Sequence, residues 1–133
     1  MKALSIERVV VRNDRIACDV AVASDAPHAT TPALARLLLE KYPSLADHAC
    51  VNRCGDRFVD IVDDTSLPHV LEHLAIDFQV RYALDAPETL FVGTTQWIDE
   101  AAGRARVELS FSDDLVALRA LRDAERALNE LVS

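Results

Sequence analysis

Glycine is scarce. Three glycines occur in 133 residues, and neither G-x-G-x-x-G nor G-x-x-x-x-G-K-[ST] is present, so a glycine-rich phosphate cradle is excluded. Basic residues are few. Lys and Arg number 14 against 22 Asp and Glu, a formal net charge of -8. Such a chain repels phosphate backbones and anionic lipid, so neither nucleic acid nor a membrane surface is an expected partner. Long apolar runs are missing. Runs such as Ala33-Leu34-Ala35 and Leu37-Leu38-Leu39 fall far short of the ~18 residues of a membrane span. The N-terminus, Met1 to Arg8, lacks the basic-then-apolar layout of a signal peptide. Three cysteines, an odd number, do not make a disulfide framework, and a reducing cytoplasm is the expected location. What is plentiful is apolar residue. Half the chain is hydrophobic and 27% charged, enough for one core, and residues 1–133 are expected to form a single domain.

Leu4 to Arg12 is rich in Val and Ile and reads as a strand, with Asn13-Asp14 as a turn. Ile16, Cys18, Val20 and Val22 alternate with Arg15, Ala17, Asp19 and Ala21, the period of a half-buried strand, which makes Cys18 a small core residue. Thr31-Pro32 starts a helix that carries Leu34, Leu37 and Leu38 and stops before Pro43. Ser44 to Asp56 reads as irregular and Arg57 to Val62 as a short strand. Asp63-Asp64-Thr65-Ser66 caps a second helix, with Pro68 in its first turn, running to about Tyr82. Glu88 to Asp99 and Arg104 to Phe111 form a strand pair around Ala102-Gly103, with Ala105, Val107, Leu109 and Phe111 on one side. Ser112-Asp113-Asp114 caps a last helix with a stripe of Leu115, Leu118, Leu121, Leu128 and Leu131. The order is ββαβαββα. Two hairpins make the sheet mixed or antiparallel, and a two-layer α+β domain with helices on one face follows.

The sharpest chemical feature is His69-Val70-Leu71-Glu72-His73, H-x-x-E-H inside the second helix. At about 100° per residue, His73 lies about 40° round from His69, and Glu72 about 60° to the other side. Two imidazoles one turn apart are a natural pair of zinc ligands. The carboxylate beside them is placed to take a proton from a water that the metal activates. This is the ligand order of the inverzincins. Leu67, Val70, Leu71, Leu74 and Phe78 suffice as a core face, so the histidines are not needed for packing. The competing reading is a solvated His-Glu-His face. Asp77, one turn further on, reads either as an acid near the site or, more simply, as an exposed acid.

His48, Cys50 and Cys54 form a second cluster. Its spacing does not match a CxxC…CxxC zinc knot, so it reads as a loop thiol pair or as a loop lending a residue to His69 and His73. Glu108 sits mid-strand between Val107 and Leu109 and points away from their face, the usual position of a solvent-facing strand acid.

These residues resemble the N-terminal region of cyanophycin synthetases. That region carries a His-x-Cys segment, here His48-Ala49-Cys50, and then a Gly/Phe strand, here Gly55 and Phe58. A Thr follows a few residues ahead of His-x-x-Glu-His, here Thr65 and His69 to His73, then Ala75 and Gln79. Gly93-Thr94 and Glu108 in Val107-Glu108-Leu109-Ser110-Phe111 complete the match, from roughly Leu34 to the last helix. The family's glycine-rich stretch before the Phe is here Cys54-Gly55-Asp56-Arg57. The resemblance implies a free-standing relative without the ATP-grasp and ligase parts, so ATP-driven ligation is not expected. In the synthetases this region is associated with holding the polymer and, in some members, with a metal-dependent site that trims it. The late glutamate of the family makes Glu108 the first choice as third metal ligand, ahead of His48, Cys50, Cys54 and Asp77. A weaker likeness is to S-ribosylhomocysteine lyases, whose cysteine ligand follows the helix. No Cys follows Cys54 here, so that reading needs another ligand.

The expectation is therefore a zinc-dependent hydrolase of peptide or isopeptide bonds, cyanophycin-like Arg-bearing aspartyl polymers among them. Its metal ligands would be His69, His73 and Glu108, with Glu72 as catalytic base. The alternative is a non-catalytic module whose acidic surface holds a basic polymer or protein. Self-association is compatible with either.

Overall fold

The computed structural model describes residues 2–83 and 90–132. Strands β1 (Leu4–Val11) and β2 (Arg15–Val22) form the first expected hairpin, closed by Arg12 N–H on Arg15 O at 2.8 Å. Strands β3 (Ala49–Asn52) and β4 (Gly55–Arg57) form a small antiparallel hairpin set apart from the main sheet. Strands β5 (Gly93–Asp99) and β6 (Arg104–Ser110) make the third hairpin. Its turn needs Gly103, at φ 72°, where an added Cβ would also lie 2.6 Å from Val22 O. The main sheet runs β1-β2-β6-β5 and every neighbouring pair is antiparallel, so the mixed option falls away.

Helices α2 (Leu67–Tyr82) and α3 (Asp114–Val132) pack on one face of this sheet, and α1 (Pro32–Lys41) packs on α3. The α+β class and the interleaved order are as expected. Ile16, Cys18, Val20 and Val22 of β2 and Ala105, Val107 and Leu109 of β6 bury their side chains beneath the helices. Asp19, Arg106 and Glu108 point the other way, into a shallow polar groove on the uncovered face.

The caps are where the sequence puts them. Thr31 Oγ1 accepts from Leu34 N–H at 3.2 Å, Ser66 Oγ from His69 N–H at 3.2 Å, and Asp113 Oδ1 from Leu115 N–H at 2.9 Å. Three elements differ from expectation. Ser44 to Asp56 is not irregular: it holds a 3₁₀ turn (Pro43–Asp47) and β3. The strand expected over Arg57 to Val62 is a 3₁₀ turn (Phe58–Asp60), because Phe58 turns inward to full burial and Asp60 Oδ2 accepts from Arg57 N–H at 3.0 Å. The strand expected from Glu88 begins at Gly93; Glu88 and Thr89 lie outside the described residues. Helix α3 also differs in what it buries. Its inner face is Ala117, Ala120, Leu121, Ala124, Ala127 and Leu128, and Leu115 is exposed.

Candidate metal centre

Helix α2 is anchored before it begins. Thr30 and Thr65 are tied through Thr30 N–H on Thr65 O at 2.7 Å and Thr65 N–H on Thr30 Oγ1 at 2.9 Å. This fixes the start of the helix and the azimuth of its histidines. Their stripe is no solvated face. His73, Glu72 and Asp77 are all buried, so the reading of Asp77 as an ordinary exposed acid is corrected. The β3–β4 hairpin covers the stripe from one side and β5 from the other.

The hairpin is built around Asn52. Its Oδ1 accepts from Cys54 and Gly55 N–H, each at 2.9 Å, and its Nδ2 donates to Cys50 O and Arg57 O, each at 2.9 Å. Gly55 sits where a Cβ would collide with the Asp60 carboxylate. The result aims Cys50 at the helix, with its Sγ 3.5 Å from His69 Nε2. Cys50, His69 and His73 each present a donor atom within 4.8 Å of the others, close enough for one ion to reach all three. Cys54 stays exposed in the hairpin turn. Glu108 is not brought to the pair. It lies on the uncovered face of the sheet, opposite Ala17 and Thr94, with its Oε1 3.6 Å from Arg15 Nη1. The alternation that buries Val107 and Leu109 under the helices excludes Glu108 from the helix side, and Cys50 is the side chain that stands beside His69 and His73 instead.

Both imidazoles are held at Nδ1. Thr65 Oγ1 is 2.7 Å from His69 Nδ1, and His48 Nδ1 is 3.0 Å from His73 Nδ1. His48 continues through Nε2 to Asp77 Oδ1 at 3.2 Å, and Ser44 Oγ donates to the same oxygen at 2.6 Å. One tautomer set satisfies the chain: His73 Nδ1–H donates to His48 Nδ1, and His48 Nε2–H donates to Asp77. That leaves His73 Nε2 with its lone pair free, as a metal ligand requires. Asp77 Oδ2 faces Arg81 Nη2 at 3.3 Å. Phe58 stacks on His73 at 4.2 Å between ring centroids and meets His69 edge-on at 5.4 Å.

Glu72 stands beside the trio. Its Oε2 is 3.5 Å from His73 Nε2, and its Oε1 accepts from Thr95 Oγ1 at 2.7 Å. Gly93 makes room for it, since a Cβ there would lie 2.8 Å from Glu72 Cγ. Burial pushes the Glu72 carboxyl up to about 7, against the opposing pull of Thr95 and His48. Burial also drives His73 down to about 3, assisted by the neighbouring His69 and His48, and lowers His69. Burial raises the Cys50 thiol. Burial opposes the ionisation of Asp77 too, but His48, Ser44 and Arg81 outweigh it and hold that carboxyl below its ordinary range.

The profile of the cyanophycin synthase-like N-terminal domain matches residues 15–133. The chain belongs to this family. A search of curated proteins returns no match. The family assignment agrees with the resemblance carried by His48, Cys50, Gly55, Phe58, Thr65 and the H-x-x-E-H helix. In this cyanophycin synthase-like domain those residues converge on one place. Glu108, which the resemblance put at the metal, does not. Two participants escape sequence reading altogether. Ser44 and Thr95 are ordinary hydroxyls whose partners lie 33 and 23 positions away. The site opens into a cleft of about 1180 Å³ whose wall includes β5. Among the described residues no helix is long and apolar enough to cross a membrane.

Proposed function

We propose that this domain is a metal-dependent hydrolase of peptide or isopeptide bonds, with zinc held by Cys50, His69 and His73. The observation that carries the reading is the convergence of one thiol and two imidazoles within 4.8 Å, with a carboxylate whose pKa is near neutrality beside them. A thiolate and two neutral imidazoles suit zinc, and three protein ligands leave a position for water or substrate. When bound, zinc would acidify a water and polarise the scissile carbonyl. Glu72 would accept the proton at its carboxylate and return it to the leaving amine, which a pKa near the working pH favours. Thr95 holds one oxygen of Glu72 so that the other faces the site. Thr65, and His48 backed by Asp77, hold the two histidines at Nδ1 and would leave Nε2 of each to the ion. A reducing cytoplasm would keep Cys50 a thiol.

The substrate side supports a basic chain. The cleft is lined by Asp47, Asp64, Glu72 and Glu100 against Arg53, which Asp64 engages at 3.1 Å. An Arg-bearing aspartyl polymer fits that balance, as do basic peptides. The test is metal analysis of the purified protein after zinc supplementation, beside H69A/H73A, with hydrolysis of such a polymer measured against ordinary peptides. About one zinc per chain, lost in the double variant, is expected. A zinc-loaded wild type that binds the polymer and cleaves nothing would make the domain a binding module. C50A should lose at least tenfold in zinc affinity, whereas E108Q should keep wild-type affinity. The reverse result would return the third position to Glu108.

A further inference from the structure

Every residue from Leu90 to Trp97 lines the cleft. A strand that showed the cleft one face would contribute alternate residues only. An unbroken run means that the cleft sees the strand edge-on. β5 is the last strand of the sheet, and among the described residues no strand pairs with its other side. The hydrogen-bond phase is fixed at Val92, whose O accepts from Ser110 N–H at 2.8 Å and whose N–H donates to Ser110 Oγ at 2.9 Å. Thr94 and Gln96 follow in the same phase toward β6, so Gly93, Thr95 and Trp97 turn their N–H and C=O groups to the open edge. That edge passes directly beside Glu72, through Gly93 and Thr95.

The two edges of the sheet are treated differently. The other edge strand, β1, carries Glu7 and Arg8 and a bulge between Ile6 and Arg8, devices that discourage pairing. Between Gly93 and Trp97, β5 has no Lys, Arg or Pro, and its bulge comes only after Trp97. Exposed apolar side chains share the cleft with it. Val51 is 93%, Leu90 89% and Val92 67% exposed, and all three line the cleft. The charged lining is predominantly acidic, as described above.

We infer that the open edge of β5 docks a peptide in extended conformation, which adds a strand to the sheet and carries apolar and basic side chains into the cleft. The main chain of the ligand would exchange hydrogen bonds with Gly93, Thr95 and Trp97. Val51, Leu90 and Val92 would cover its apolar side chains, and Asp47 and Glu100 would meet its basic ones. Identifying this peptide as the substrate rests on the hydrolase reading. Its docking does not, because no metal ligand takes part in it.

The test uses the full chain, metal-free and zinc-loaded, and a capped hexapeptide of alternating valine and lysine. Amide hydrogen exchange is followed residue by residue. The peptide should slow exchange at Gly93, Thr95 and Trp97 by about tenfold or more, while Thr94 and Gln96, already directed at β6, change less than about twofold. Methylating every main-chain nitrogen of the peptide should weaken binding by at least about tenfold. Equal protection at all five residues, no protection, or undiminished binding of the methylated peptide would overturn the proposal. So would protection of the three amides without peptide that disappears on dilution, which would assign the edge to a second copy of the chain. Alternating protection in a protein that takes up no zinc would leave docking intact and refute the hydrolase reading. Zinc-dependent cleavage without protection would do the opposite.

Discussion

Phe58 has no ionisable group, yet it touches the imidazoles of both His69 and His73. It is fully buried, lies face to face with His73 and edge-on to His69, and its N–H donates to His48 O at 3.0 Å. It therefore sets the tilt of His73 about its χ2 and keeps water from the ring. F58A should lower unfolding free energy by about 3–5 kcal/mol in urea titrations and weaken zinc binding as well. F58L should recover most of the stability and less of the affinity, because it restores volume without a ring face. Equal recovery of both would reduce Phe58 to filler. Thr95 makes the complementary case for Glu72. Its hydroxyl favours the carboxylate form, so T95V should move the acid limb of the hydrolysis pH profile upward, by a fraction of a unit to one unit, with zinc content unchanged. An unmoved limb would mean that Glu72 does not set it.

At the scale of elements, the sequence exposes what is local and hides what is assembled. The caps of all three helices, the β1–β2 hairpin and the buried faces of β2 and β6 follow from signals within a few residues of each other. So does the pairing of His69 and His73 on one arc of α2. The third member of the Cys50, His69 and His73 cluster does not. His48, Cys50 and Cys54 looked equivalent as a loop cluster, and only the Asn52-centred turn decides that Cys50 faces inward while Cys54 faces water. The resemblance favours Glu108 against its own strand alternation, and in the fold Glu108 follows the alternation. Helix α3 shows a different failure. Its leucines are conspicuous in the sequence, but alanines at 117, 120, 124 and 127 are four of its six buried residues, on a helix that packs against α2. Apolar periodicity does not distinguish a stripe that fills space from one that lets two helices meet. A124L should therefore destabilise the fold by about 1–3 kcal/mol although it adds apolar volume. A stabilised variant, read from its urea midpoint, would show that the interface has spare room.

The whole molecule registers the centre through pH. In the metal-free protein His73 titrates near 3 when folded and near 6.5 when unfolded. The unfolded chain thus binds more protons between those values, and stability is lost as pH falls from 6.5 toward 3, on the order of several kcal/mol. His69 and Asp77, both lowered, act in the same direction. Glu72 acts oppositely. Its folded value of about 7 exceeds the ordinary 4.5, so the folded protein binds more protons between them, and stability is lost as pH rises from 4.5 through 7. His73 and Glu72 offset each other between about pH 4.5 and 6.5, which leaves only the smaller gain from His69 and predicts a near-plateau there, a steep acid limb below and a shallower decline above. E72Q should remove the decline above pH 6.5 and turn the plateau into a rise, so that the acid limb extends up to about pH 6.5, as measured by urea unfolding across the range. Zinc should reshape the same curve. In the proposed site zinc would take its ligands as thiolate and neutral imidazoles, and the Cys50 thiol, raised by burial, would have to release a proton to join. Zinc affinity between pH 7 and 8.5 should therefore rise by about tenfold per unit, and stability at a hundredfold excess over Kd should gain about 2.7 kcal/mol. C50A should abolish that slope. A slope that survived in C50A would place the released proton on another group and remove Cys50 from the metal.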